Sequence, residues 1–240
     1  MTAARSKITA DLHRRVWPDR PGPLRAEAEF PNYTPAERRV DAIVHMIGLA
    51  LALAGCIALA VTALPGANLA RLVGLGLYAA GLLAMLGCSA LYNLTRDGAR
   101  KRLFRRLDHA AIFAMIAGTY TPFALLAIGG AWGTGLLILV WTVAVGGIVI
   151  ELFALRRHDH LSVATYLLLG WSILPALGPL TAAVAPSGIA LLAVGGVLYS
   201  IGTIFHLWRS LPHQNAIWHG FVLAGAACHY AAVLREVAAA

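Results

Sequence analysis

Seven largely apolar stretches, at about 40–64, 72–94, 108–128, 131–155, 161–183, 188–208 and 216–236, are each long enough to cross a bilayer. Hydrocarbon offers no partner for backbone N–H and C=O groups, so a spanning segment of about twenty apolar residues must satisfy them internally, as a helix does. The pattern therefore predicts an all-α, polytopic membrane protein folded as a seven-transmembrane helix bundle. Composition agrees: 59% of the 240 residues are hydrophobic and 12% are charged, where a soluble domain carries about a quarter charged residues. The mean hydropathy is +0.72.

Residues 1–33 have a different character, with Pro18, Pro21, Pro23 and Pro31 among many charges and no apolar run of signal-peptide length. They read as a polar cytoplasmic arm ahead of a membrane domain at 34–240. Thr34 as cap, Pro35 at the first helical position and Glu37 three residues after the cap form a helix-start signature, so the first helix should begin before its apolar part. Pro175 and Pro179 interrupt the fifth stretch and predict a kinked or shortened span.

The net charge of +8 would suit nucleic acid, but Lys and Arg sit in short blocks between apolar runs, where they set topology instead. No nucleic-acid partner is expected. Placing the amino terminus inside assigns seventeen of the nineteen basic residues to the cytoplasm and leaves only Arg71 and Arg235 outside. The expected protein is thus a multi-pass protein of the inner (plasma) membrane, N-terminus cytoplasmic and C-terminus outside. Small residues such as Gly74, Gly76, Gly146, Gly147, Gly195 and Gly196 predict closely packed helices. Cys56, Cys88 and Cys228 match no metal or redox spacing and read as packing residues.

In this topology the polar residues of the spans gather at the cytoplasmic end. Ser89 and Asn93 end the second span, Asp108 and His109 begin the third, His206 ends the sixth, and Asn215 and His219 begin the seventh. Glu37, Asp41 and His45 join them from the first. Ser89/Asn93, Asn215/His219 and the series Glu37/Asp41/His45 are spaced i, i+4, so each set shares one helical face. An ionisable group here is costly without a partner and marks a functional site. Asp108 stands out, although it could also cap its helix, and His45 could simply pair with Asp41. His229 lies about 15 Å deeper than His219 at 1.5 Å per residue, and reads as an interhelical hydrogen-bonding residue. Glu151 should pair with Arg156, Arg157 or a neighbouring helix. Thr119, Tyr120 and Thr121 should satisfy the backbone that Pro122 frees.

Ser89-Ala-Leu-Tyr-Asn93, the stretch LDHAAIFAMIAGTYTPF at 107–123, and Asn215-Ala-Ile-Trp-His219 followed by GFVLAGAACH to His229 resemble, in order and spacing, the bacterial hemolysin III proteins. These group with the progestin and adiponectin receptors and, more distantly, the alkaline ceramidases. The resemblance runs from about Glu37 to Leu234. It implies a zinc ion near the cytoplasmic face, held by three histidines, one closing an S-x-x-x-H motif and two in an H-x-x-x-H motif, with a third-span aspartate holding the zinc-bound water. On this chain those positions are Asn93, Asn215, His219 and Asp108, with Ser89 opening the first motif. Two of the three expected histidines are thus asparagine, and a neutral amide is a poor zinc ligand. Zn2+ is therefore expected to be weakly held or absent. Either an Asn93–Asp108–Asn215–His219 hydrogen-bond network replaces it, or His206 substitutes as a ligand with help from His213, His109 or His45. The implied role is in membrane or lipid homeostasis, with membrane lipids and a lipid-like ligand or substrate as partners. A degenerate zinc-dependent lipid amide hydrolase using Asp108 and Ser89, and a receptor or pore, are the alternatives.

Overall fold

The computed structural model describes residues 33–96, 98–153 and 159–239. Its helices are α1 (Pro35–Ala63), α2 (Leu69–Leu94), α3 (Ala99–Pro122), α4 (Gly130–Phe153), α5 (Asp159–Gly170), α6 (Leu177–Ala183), α7 (Pro186–Leu207) and α8 (Gln214–Ala239). Among the described residues, seven helical stretches are long and apolar enough to cross a membrane, α5 and α6 together making the fifth. The expected bundle is therefore present. The arm at 1–33 lies outside the described residues apart from Tyr33, as do Arg156, Arg157 and His158. The first helix starts at Pro35, ahead of its apolar part, as the Thr34-Pro35-Ala36-Glu37 signature predicts.

The prolines of span five break it. After Gly170 the chain makes a turn and one 3-10 segment, Leu174–Ala176, before α6 resumes. This exposes carbonyls that hydrocarbon cannot satisfy. Tyr120, buried on α3, supplies the donor: its hydroxyl lies 2.7 Å from the Gly170 carbonyl and 3.2 Å from that of Leu169. The hydroxyls around Pro122 do not bond the Gly118 carbonyl, the one that the missing N–H of Pro122 frees. Thr119 and Thr121 donate to Met115 and Ala117, while Tyr120 repairs a different helix. The ring at Pro122 is followed instead by a widened turn over Phe123–Ile128, closed by Gly129 N–H donating to the Ala124 carbonyl at 3.0 Å. Gly129 and Gly130, at φ of +60° and +55°, then reverse the chain into α4.

Small residues let α2 and α3 touch along their backbones. A Cβ on Gly118 would stand 2.8 Å from the Leu77 carbonyl oxygen, and one on Gly81 would stand 3.1 Å from that of Ala114. Around this seam Tyr78, Leu82, Met85, Met115 and Phe123 form the core, joined by Val222 and Val233 of α8. A second cluster packs Phe113 and Ala117 against Val140 and Ala144 of α4, with Gly147 directly under the Phe113 ring. The outer faces carry exposed apolar side chains such as Ile43, Ile47, Leu51 and Ile57 of α1, which suits contact with lipid. Since lipid is as apolar as leucine, association of the spans rests on close packing and on polar contacts between helices.

Gly118→Leu should therefore cost about 1–3 kcal/mol or more by overpacking, read as a lowered unfolding midpoint in detergent. Gly76→Leu, where nothing lies within 4 Å of the added atom, should leave it unchanged.

Candidate functional site

The polar face of α1 is built by its i, i+4 series. Glu37 accepts the backbone N–H of His213 at 3.0 Å, tying the start of α1 to the chain just before α8. One turn further in, Asp41 is 6% exposed, and its carboxylate reaches α8 twice. Its Oδ1 lies 2.7 Å from His219 Nδ1, and its Oδ2 accepts Asn215 Nδ2–H at 3.0 Å. Its backbone carbonyl lies 2.8 Å from Nδ1 of His45. Carboxylate and carbonyl oxygens only accept, so both histidines donate from Nδ1.

Those two Nε2 atoms turn toward one point on α2. Ser89 Oγ lies 3.2 Å from His45 Nε2 and 3.4 Å from His219 Nε2, and the two rings meet edge to face at 4.3 Å between centroids. Asn93 closes the network: its Nδ2–H donates to the Ser89 carbonyl at 2.9 Å, and its Oδ1 accepts Asn215 Nδ2–H at 2.9 Å. Ligating atoms of Asp41, His45 and His219 lie within 4.8 Å of one another.

The structure thus gathers Ser89, Asn93, Asn215 and His219, with Asp41 in the place that sequence reasoning gave to Asp108. Asp108 lines a cavity beside this group. His206 lines the same cavity, its ring 5.0 Å from that of Trp218, and is not among the three potential ligands that converge. His109 also lines this cavity and is not among those three ligands: its Nδ1 stands 3.9 Å from Glu151 Oε2 on α4, and Ser162 of α5 donates to Glu151 Oε1 at 2.5 Å. Glu151 therefore has partners on neighbouring helices. Asp41 and His45, read from sequence as supporting residues, stand at the centre. The signal that could have promoted them was the three-member polar series on α1, a longer register than the single Asp108. His229 makes the expected interhelical bond, its Nε2 donating to the Leu192 carbonyl at 3.2 Å.

From the polar layer a cavity of about 260 Å³ runs toward His229. His45, Ser89, Asp108 and His219 lie at one end, and its walls include Met115, Ile116, Leu192 and Leu223. The lining residues that are exposed, Gly170, Trp171, Leu174, Leu177 and Ala193, all belong to span five or α7. The cavity therefore opens sideways between these two spans, part-way along them. Trp171 bridges the seam, its indole N–H donating to Ser200 Oγ at 3.0 Å.

Fold and site together define a seven-span helical membrane protein with a compact Asp–His–Ser–Asn layer at one end of an apolar, side-opening cavity. Residues 34–230 match the family described as "Haemolysin-III related", and the chain belongs to that family. It is 38% identical over 202 residues to the "Hemolysin-3 homolog" of Bacillus subtilis, covering 84% of this chain and 95% of that one. With the "Hemolysin-3" of Bacillus cereus it shares 39% identity over 201 residues, 84% and 92% of the two chains. The human "Monocyte to macrophage differentiation factor" is 29% identical over 165 residues, 66% of this chain and 68% of that one.

The three-histidine zinc set that the resemblance implies does not fit these residues. At the corresponding positions only His219 is an imidazole, and both amides are engaged with Asp41, Ser89 and each other. Asn215→Ala would leave Asp41 Oδ2 and Asn93 Oδ1 without that donor. It should destabilise the protein by about 1–3 kcal/mol, measured as a shift in denaturation midpoint with the far-ultraviolet spectrum unchanged.

Proposed function

We propose that this is a lipid-handling protein of the inner membrane, which takes a single apolar chain of a membrane amphiphile into the side-opening cavity, with the amphiphile's polar group at the layer formed by Ser89, Asp108 and His219. Its role is in membrane or lipid homeostasis. The observation that carries this reading is the cavity itself: largely apolar walls, a cluster of ionisable groups at one end, and a mouth among residues that face the hydrocarbon. Binding pockets for small molecules have this character, mostly apolar with a few placed polar groups that fix orientation.

The thermodynamics of such a site differ from those of a soluble pocket. A chain entering from the bilayer leaves one hydrocarbon for another, so its methylenes gain little. Selectivity rests on the polar end, where buried donors and acceptors left unmatched are costly. Asp108 lines the cavity with the histidines, and a carboxylate there accepts from a donor on the bound molecule. No hydrolytic step is derived through zinc, because the residues at the family's ligand positions do not fit that ion.

In the proposed orientation the arm at 1–33 and the basic 95–107 connection lie in the cytoplasm, and the carboxyl terminus lies outside. Alkaline phosphatase fused after Ala240 should be active in the periplasm of a Gram-negative host, and the same enzyme fused before Met1 should not. The reverse pattern contradicts the orientation.

The function is tested by native mass spectrometry of protein released from lipid nanodiscs. The wild type should retain about one single-chain amphiphile, enriched over bulk lipid. Ile116→Trp, which fills the cavity wall, should lose it. A wild type without a retained amphiphile, or an equal amount in the variant, contradicts the proposal.

A further inference from the structure

We infer that the far end of the cavity is a second polar subsite, where His229 and Tyr199 receive a hydroxyl carried on the chain of the bound amphiphile. The inference rests on the lipid reading and narrows it to one class of molecule, an amphiphile hydroxylated well away from its head.

Two helices fix the place. His219 and His229 both line the cavity, and their separation along α8 is about 15 Å at 1.5 Å per residue. Tyr199 of α7 lines it at the level of His229, the two rings standing 5.4 Å apart between centroids and close to edge to face. Each ring lies over a glycine of the opposite helix. A Cβ on Gly195 would collide with the His229 ring, and one on Gly225 would stand 3.0 Å from the Tyr199 ring. The seam between α7 and α8 is thus shaped around both side chains.

The hydrogen-bonding capacity of these rings is only half used. His229 Nε2–H donates to the Leu192 carbonyl at 3.2 Å. A charged imidazole is costly at this depth, and in the neutral ring the other nitrogen, Nδ1, is an acceptor. The Tyr199 hydroxyl makes no hydrogen bond among the described residues. Tyr78 of α2, wholly buried, also has a hydroxyl without a partner among them, and it interacts electrostatically with Tyr199. Neighbouring hydroxyls on α7 are already spent, Ser200 donating to the Gly196 carbonyl and Thr203 to that of Ser200. Unmatched polar groups are costly in hydrocarbon, and their concentration here points to a ligand that matches them.

A hydroxyl fits because it both donates and accepts. It gives its proton to His229 Nδ1 and accepts from the Tyr199 phenol. A hydroxyl on a lipid chain has no partner in the bilayer core either, so transfer into the subsite satisfies both sides, whereas the methylenes around it gain little. The distance from His219 to His229 sets where the hydroxyl must stand. At about 1.2 Å per bond an extended chain covers it near the twelfth carbon.

The experiment loads nanodiscs holding the full-length protein with one of three probes: octadecanol, its diol hydroxylated at the second carbon, or its diol hydroxylated at the twelfth. Native mass spectrometry reads the probe retained per chain against its fraction in the lipid. The wild type should favour the twelfth-carbon diol over both other probes by at least about tenfold, the factor for one ordinary buried polar mismatch. Tyr199→Phe, which removes only the hydroxyl, and His229→Leu should each bring the three probes toward equality. Equal retention of all three by the wild type, the result if water alone fills the subsite, overturns this inference and leaves the lipid reading standing. A preference undiminished in Tyr199→Phe does the same. Retention of none of the probes overturns both.

Discussion

A carboxylate that enters a bilayer must find partners on other helices, and Asp41 is where this chain meets that demand. The group is 6% exposed, yet both its oxygens are engaged by α8, through His219 and Asn215, while its backbone carbonyl steadies His45. Removing one partner from such a group costs far more than the pair contributes when intact. That asymmetry makes the contact a strong determinant of how α1 sits against α8. Glu37 with His213 and Tyr230 with the Gly55 carbonyl extend the same seam in both directions.

The rest of the polar layer follows from this anchor. With Asp41 behind them, His45 and His219 can only face inward, onto Ser89. The asparagines then make sense as residues that both donate and accept: Asn215 spans from Asp41 to Asn93, and Asn93 spans from Asn215 to Ser89. Above the layer, space is left because span five is broken between Gly170 and Leu177. Its prolines cannot continue the helix, and Tyr120 rather than a tighter helical contact satisfies the freed carbonyls. The lateral mouth thus coincides with one helix break, and the polar end is built around one buried acid.

Much of the fold was legible in the sequence because it is decided within single segments. Length and apolarity define the spans, Thr34 and Pro35 place the start of α1, and Pro175 and Pro179 place the break. The i, i+4 rule likewise put Glu37, Asp41 and His45 on one face. What a single sequence does not carry is how each helix is rotated against its neighbours. Asp41 and Asp108 occupy the same end of the bundle, and only tertiary packing decides which of them meets His219. Packing likewise decides that His109, which lines the cavity with Asp108, stands near Glu151 of α4. The hydroxyls near Pro122 illustrate the same limit, since Tyr120 serves a helix about fifty residues away in sequence.

The most direct test of this account is a double-mutant cycle between Asp41→Asn and His219→Gln, read from reversible unfolding in mixed micelles. If Asp41 is the anchor of the polar layer, the two changes should be coupled by about 1–3 kcal/mol, the upper part of the roughly 0.5–3 kcal/mol found for residues in one network. Additivity to within about 0.5 kcal/mol would contradict it.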